Sequence, residues 1–246
     1  MQRDYVCRLR LVIDKLPLFF RESYFLFFIA KYLFKLPSEL FTFRDNYKKG
    51  KVKDLSLFYD PNGTLNLERV SEDIDINSKH LRIIDEYIDF IKPKNILDVG
   101  CGTGFLLKLL DKKINNSQLN GIDFKCPDKF ISINNNNICF ESGNINNSLK
   151  SVQSNSFEVV ICAHVLEHLP DPKELIFEMR RIASKRLILI CPLEKPFSWG
   201  LNYHVQFFES SKRFVEYIRK NLKLTNHYEC FENLGDCMYI ETINNS

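Results

Sequence analysis

Residues 95–110 read N-I-L-D-V-G-C-G-T-G-F-L-L-K-L-L, and this stretch decides the fold. Ile96, Leu97 and Val99 make an apolar run of strand length, and Leu106, Leu107, Leu109 and Leu110 supply an apolar helix after it. Between them stand Gly100, Gly102 and Gly104. Such a link brings bare backbone close to a ligand at the carboxyl end of a parallel sheet, because no Cβ stands in the way. The register excludes one ligand class: a dinucleotide fingerprint, G-x-G-x-x-G, needs glycine at position 105, which is Phe105.

Outward from that stretch, apolar runs alternate with helical segments. Strands are predicted at 95–99, 118–123, 138–141, 157–162 and 186–191, and helices at 105–113 and 172–183. This alternation predicts an α/β fold, a Rossmann-like, doubly wound, mostly parallel sheet. Asp171, Pro172 and Glu174 form a helix start. Leu81, Ile84, Ile88 and Ile91 recur at helical spacing and predict an amphipathic helix over 78–91. After Ser210 comes a helix carrying Phe214, Val215 and Ile218. Strand-like runs at 222–231 and 237–243, joined by E-N-L-G-D, then predict an antiparallel hairpin at the C-terminal sheet edge.

The polar stretch 46–66, with its turn signal D-P-N-G, divides the chain into a helical N-terminal extension, 1–63, and a ligand-binding domain, 64–246. With 246 residues, 45% of them hydrophobic, the chain can build a substantial core. Its net charge of +3 comes from basic residues spread along the chain, so nucleic acid is not an expected partner. The eight cysteines show no metal-ligand spacing and read as reduced thiols of a cytoplasmic protein. Residues 17–37 are rich in Phe and Leu, but their longest uncharged run is far too short to span a bilayer, and no small-residue cleavage site follows. They read as a helical cap or partner surface, or as an interfacial helix making peripheral membrane contact through 17–36.

Two further blocks add chemistry. Asp123 closes the strand L-N-G-I-D-F, where a carboxylate can accept hydrogen bonds from both hydroxyls of a ribose. Residues 154–172 read S-N-S-F-E-V-V-I-C-A-H-V-L-E-H-L-P-D-P. Together with D-V-G-C-G-T-G, these blocks resemble the class I S-adenosylmethionine-dependent methyltransferases over about 83–193. The resemblance implies that Asp98, Gly100, Cys101, Gly102 and Gly104 hold the methionyl part of S-adenosylmethionine. It further implies that Asp123, followed by Phe124, holds the ribose, that Asn144 and Ile145 lie beside adenine, and that Ala163 and His164 lie near the methionyl group.

Methyl transfer from a sulfonium requires alignment of acceptor, methyl carbon and sulfur, and a hydroxyl acceptor must also lose its proton. The candidates for that work are His164, His168 and His204, with Glu167. Some relatives, among them ubiquinone-pathway O-methyltransferases and small-RNA 2′-O-methyltransferases, bind a divalent metal through E-x-x-E-H and a distant His. Here the pattern is H-x-x-E-H with His204. Such a donor set suits zinc, cobalt or iron better than magnesium. Three readings fit: loop residues that satisfy backbone groups, a metal site, or a metal-free His base. Lys195, Phe197, Trp199 and Tyr203 form an aromatic loop able to grip a sugar or nucleotide face, or to pack as a lid. The expected acceptor is a small molecule, a hydroxyl of a saccharide or nucleotide-linked intermediate. The alternatives are a membrane-associated lipid or quinone O-methyltransferase and a non-catalytic partner subunit of the same fold.

Overall fold

The computed structural model describes residues 12, 15–21, 23–34, 43, 46–52, 83, 84, 86–88, 91–124, 137–196, 203–222, 227–233 and 235–243. Two helices, α1 (Leu18–Arg21) and α2 (Tyr24–Phe34), precede the domain. The domain runs β1 (Asn95–Val99), α3 (Phe105–Asp111), β2 (Gln118–Asp123), β3 (Ile138–Ser142), α4 (Ile145–Ser151), β4 (Phe157–Ala163), α5 (Lys173–Ile182), β5 (Ala183–Pro192), α6 (Ser211–Leu222), β6 (Tyr228–Asn233) and β7 (Asp236–Thr242).

The strands form one seven-stranded sheet in the order β3-β2-β1-β4-β5-β7-β6. β1 pairs in parallel with β2 and β4, β2 with β3, and β4 with β5. β7 runs antiparallel to both β5 and β6, so the C-terminal hairpin closes that side of the Rossmann-like sheet. Side chains alternate between two cores, as the pleat requires. Leu97, Val160, Leu187, Leu189 and Tyr239 pack on the face covered by α4, α5 and α6. Ile96, Val159, Ile161, Ile188 and Met238 pack on the other face with Ile84, Ile88 and α3. Each fully buried aliphatic side chain contributes about 1.5–3 kcal/mol. Ile84 and Ile88 are thus placed as the predicted helix over 78–91 requires.

Several elements differ from the sequence reading. Helix α4 went unpredicted because I-N-N-S-L-K-S buries only Leu149; its start is made by Asn144, whose side chain accepts from the Asn147 N–H at 3.1 Å. The strand predicted at 222–231 begins only at Tyr228, because the 3.6-residue period through Phe214 and Ile218 carries α6 on to Leu222. β5 follows α5 without a loop. Asp171 lies one residue outside the α5 cap and accepts from Lys173 N at 3.3 Å. The boundary expected at 63/64 lies outside the described residues.

Two contacts join the extension to the domain. Arg21, buried, donates to the Pro196 carbonyl at 3.4 Å, and Phe43, also buried, meets Tyr203 edge to face at 4.9 Å. Among the described residues no helix is long and apolar enough to cross a membrane. Cys101, Cys139, Cys162, Cys191, Cys230 and Cys237 are free thiols.

Candidate active site

The carboxyl ends of β1, β2, β4 and β5 bring the expected residues to one edge of the sheet, where ligands bind in open α/β folds. The glycine loop is strapped to the end of β2: Gly100 N donates to Ile122 O at 2.7 Å, Cys101 N to the same oxygen at 3.2 Å, and Gly102 N to Asp123 Oδ2 at 2.8 Å. A Cβ on Gly100 would strike Val165, and one on Gly104 would strike the Phe140 ring. Gly102 is the opposite case: its φ is +54°, and nothing lies within 4 Å of where its Cβ would be. The loop therefore packs its first and third glycines inward and presents the middle one, beside Asp123, to an open cradle. That arrangement fits a ligand that approaches backbone and carboxylate together.

Asp98 is buried in β1 opposite Gly121 and Ile161. Cys101 is buried too, whereas Phe124 is exposed beyond Asp123. Asn144 uses its amide oxygen as the α4 cap. Ile145, the first residue of α4, and Ala163, the last of β4, are half-buried.

The second half of the site grows from the end of β4. His164 has a left-handed backbone, φ +57°, uncommon for a residue with a side chain, and its N–H bonds Ile190 O at 3.0 Å. A short 3₁₀ turn, Leu166–His168, follows instead of a full helical turn. The carbonyl of Glu167 accepts from Val205 N at 2.8 Å and Gln206 N at 3.0 Å, which lays the 203–208 segment across this turn. That crossing brings His204 onto His168, ring centroids 4.8 Å apart. Glu167, 1% exposed, lies beneath them: its Oε1 is 3.4 Å from His164 Nδ1 and 3.8 Å from His168 Nε2. Glu167, His168 and His204 can each offer one ligand atom within 4.8 Å of the others. Two imidazoles and a carboxylate make a donor set that fits zinc, iron or cobalt.

Two further carboxylates escaped the sequence reading. Buried Glu194 sits 2.8 Å from His204 Nδ1, and Asp236 Oδ2 sits 3.6 Å from His164 Nε2. Their only sequence signal is a position at a strand end, Glu194 just past β5 and Asp236 at the start of β7. Glu194 on Nδ1 fixes the orientation of the His204 ring, whereas His164 meets a carboxylate at each of its nitrogens. Of the aromatic loop, Tyr203 is buried and Lys195 exposed, while Phe197 and Trp199 lie outside the described residues.

Burial alone would raise the Glu167 carboxyl, but contact with His164 and the neighbouring imidazoles outweigh it and hold the pKa down to about 2. Burial lowers His168 to about 4 against the opposing pull of Glu167, so its imidazole is neutral at pH 7. Unfolded His168 takes up a proton below about 6.5 while the folded form does not, so this contribution to stability is full above that value and is lost as pH falls toward 4. The carboxylate of Glu167 adds to the loss only below about 4.5. Thermal unfolding followed from pH 7 to 4 should show the midpoint falling, with a shallower fall in His168→Asn. Equal slopes in the two proteins would contradict the burial of that imidazole.

A family model described as a methyltransferase domain matches residues 73–238, about two thirds of the chain. Among curated proteins, the chain is 31% identical over 106 residues to a ubiquinone biosynthesis O-methyltransferase from Coxiella burnetii, covering 41% of this chain and 43% of that protein. It is 35% identical over 117 residues to the protein of that name from Nitrosospira multiformis, covering 45% and 46%. The chain thus spans less than half the length of these curated relatives. Among solved structures, the plantazolicin methyltransferase BamL, in complex with a triazolic desmethylPZN analog and SAH, superposes with a TM-score of 0.60 at 12% identity, covering 84% of this chain and 98% of that one. A SAM-dependent methyltransferase from Aquifex aeolicus gives 0.52 at 16%, covering 78% and 98%. At such identities these two establish the fold. The matched domain spans the glycine loop, Asp123 and the H-V-L-E-H turn, and by it the chain belongs to the class I S-adenosylmethionine-dependent methyltransferases.

Proposed function

We propose that the chain methylates a hydroxyl group of a small molecule, and that a phenolic ring is the acceptor its site suits best. The observation that carries this is the buried Glu167 carboxylate beneath His164, His168 and His204. A hydroxyl must give up its proton as it attacks, and imidazole nitrogens backed by a carboxylate supply an acceptor for it. An amine that arrives neutral makes no such demand. S-adenosylmethionine, when bound, supplies an electrophilic methyl carbon, which bonds to the acceptor oxygen as the carbon–sulfur bond breaks. The proton leaves on His204 or His168. On the donor side, Asp98 and the glycine loop hold the methionyl part, Asp123 the ribose, and Asn144 with Ile145 border the adenine.

Acidity favours the phenol. A phenol loses its proton near pH 10, well below an aliphatic alcohol, and His168 is a weak base once burial has lowered it to about 4. The saccharide or nucleotide-linked hydroxyl expected from the sequence is the weaker acid, so the cluster suits it less well. The name shared by the relatives from Coxiella burnetii and Nitrosospira multiformis also supports an oxygen acceptor on a quinone precursor. If a divalent metal is held, Glu167, His168 and His204 would hold it, and as a Lewis acid it would acidify the acceptor hydroxyl.

Transfer of labelled methyl from S-adenosylmethionine to a catechol and to a monosaccharide, with and without chelator, tests the reading. Methylation of the catechol is expected, undiminished by chelation. Preferential methylation of the sugar would overturn the phenolic acceptor, and activity lost on chelation and restored by zinc would overturn the metal-free base. Donor binding with no transfer to any acceptor until a second protein is added would identify a partner subunit instead.

A further inference from the structure

We infer that the exposed apolar stripe of α2 docks on an anionic lipid bilayer and sets the acceptor side of the active site against the membrane surface. Phe25, Phe28, Ile29 and Tyr32 stand at i, i+3, i+4 and i+7, one face of the helix, and are 73%, 72%, 38% and 85% exposed. In a globular protein a stripe with that spacing faces the core. Here it faces out, and Leu33, Leu18 and Phe19 extend it, each more than half exposed. An exposed, contiguous apolar surface of this kind marks an interaction site.

Charge selects the occupant. Residues 1–52 hold eleven Lys and Arg against five Asp and Glu, an excess of six in a chain whose net charge is +3. The remainder of the molecule is therefore net acidic, and the basic excess accompanies the apolar stripe. Aromatic side chains suit the headgroup depth of a bilayer, and clustered basic residues are drawn to anionic headgroups. At 11 residues α2 is about 16 Å long, half of what a bilayer core requires, so it lies in the interface.

The anchoring of this segment gives the docking a purpose. Arg21, the last residue of α1, donates to the Pro196 carbonyl. Phe43 packs on Tyr203, whose chain neighbour is His204. A bilayer under α2 therefore lies beside the acceptor-side loop, where a methyl acceptor dissolved in the membrane can enter without crossing water. This last step rests on the proposed hydroxyl acceptor; the docking itself does not.

Flotation of the full chain with vesicles tests it. The protein should float with phosphatidylcholine vesicles containing phosphatidylglycerol, less with phosphatidylcholine alone, and less in high salt. The double variant Phe25→Ser, Phe28→Ser should lose roughly a hundredfold in partitioning, since each buried Phe contributes about a factor of ten or more. S-adenosylmethionine binding in the same variant should be unchanged, which shows it folded. The docking is overturned if the intact chain stays in solution with anionic vesicles, or if the double variant floats as well as the parent. It is also overturned if the parent self-associates and the variant is a monomer, for the stripe then binds a second copy. Failure of flotation with donor binding intact strikes the docking alone; failure of donor binding strikes the proposed function.

Discussion

Gly102→Val should abolish measurable S-adenosylmethionine binding, an expected loss of about a hundredfold or more, near 3 kcal/mol, in calorimetric titration. Two effects add. The φ of +54° is costly for any residue with a Cβ and worst for a β-branched one, at about 1–3 kcal/mol. The valine methyls would also stand in the open space in front of Asp123, whose Oδ2 accepts from the N–H of this same residue. The core should remain intact, because nothing lies within 4 Å of the new Cβ. Gly104→Val makes the contrast: its Cβ would run into the Phe140 ring, so thermal stability should fall along with binding. Unchanged affinity in Gly102→Val would place the donor elsewhere.

The second large effect concerns turnover. His204→Ala and Glu167→Gln should each lower kcat by about 10²- to 10⁴-fold, the usual contribution of a positioned base, with donor affinity preserved. Glu167 acts as a positioning residue: it lies under His164 and His168 and touches nothing outside the protein, being 1% exposed. The glutamine keeps its size but removes the negative charge that the imidazoles face. Single-turnover rates with preloaded donor separate this loss from weaker binding. If both variants retain parental kcat, the cluster is a packing device of the loop and the proposed acceptor chemistry fails.

Much of the fold was legible because it rests on local patterns. Strands buried on both faces read as continuous apolar runs, as in I-L-D-V and V-V-I-C, and glycine spacing marks the turn between β1 and α3 whatever surrounds it. Helix α4 was not legible, since it depends on a single buried Leu149 and an Asn cap. Nor was the start of β6, an edge strand whose alternation runs only between half-buried Tyr228 and Cys230 and exposed Glu229 and Phe231. In the site, H-x-x-E-H announced itself as a string, but its spatial partners did not. Glu194 and Asp236 reach His204 and His164 only because the sheet order puts β5 and β7 side by side beyond β4. The placement of His204 depends on two backbone hydrogen bonds to the Glu167 carbonyl, which side-chain identity does not encode.

The contact between Phe43 and Tyr203 links a residue outside the matched span 73–238 to the loop that carries His204. The residues proposed to hold the donor, by contrast, all lie between Asp98 and His164. On that proposal the leading segment bears on the acceptor side through Tyr203 and His204 and leaves the donor residues untouched. An exchange of the leading segment between such proteins could retarget the enzyme to a new acceptor in one recombination event, without disturbing the machinery that recognises the methyl source.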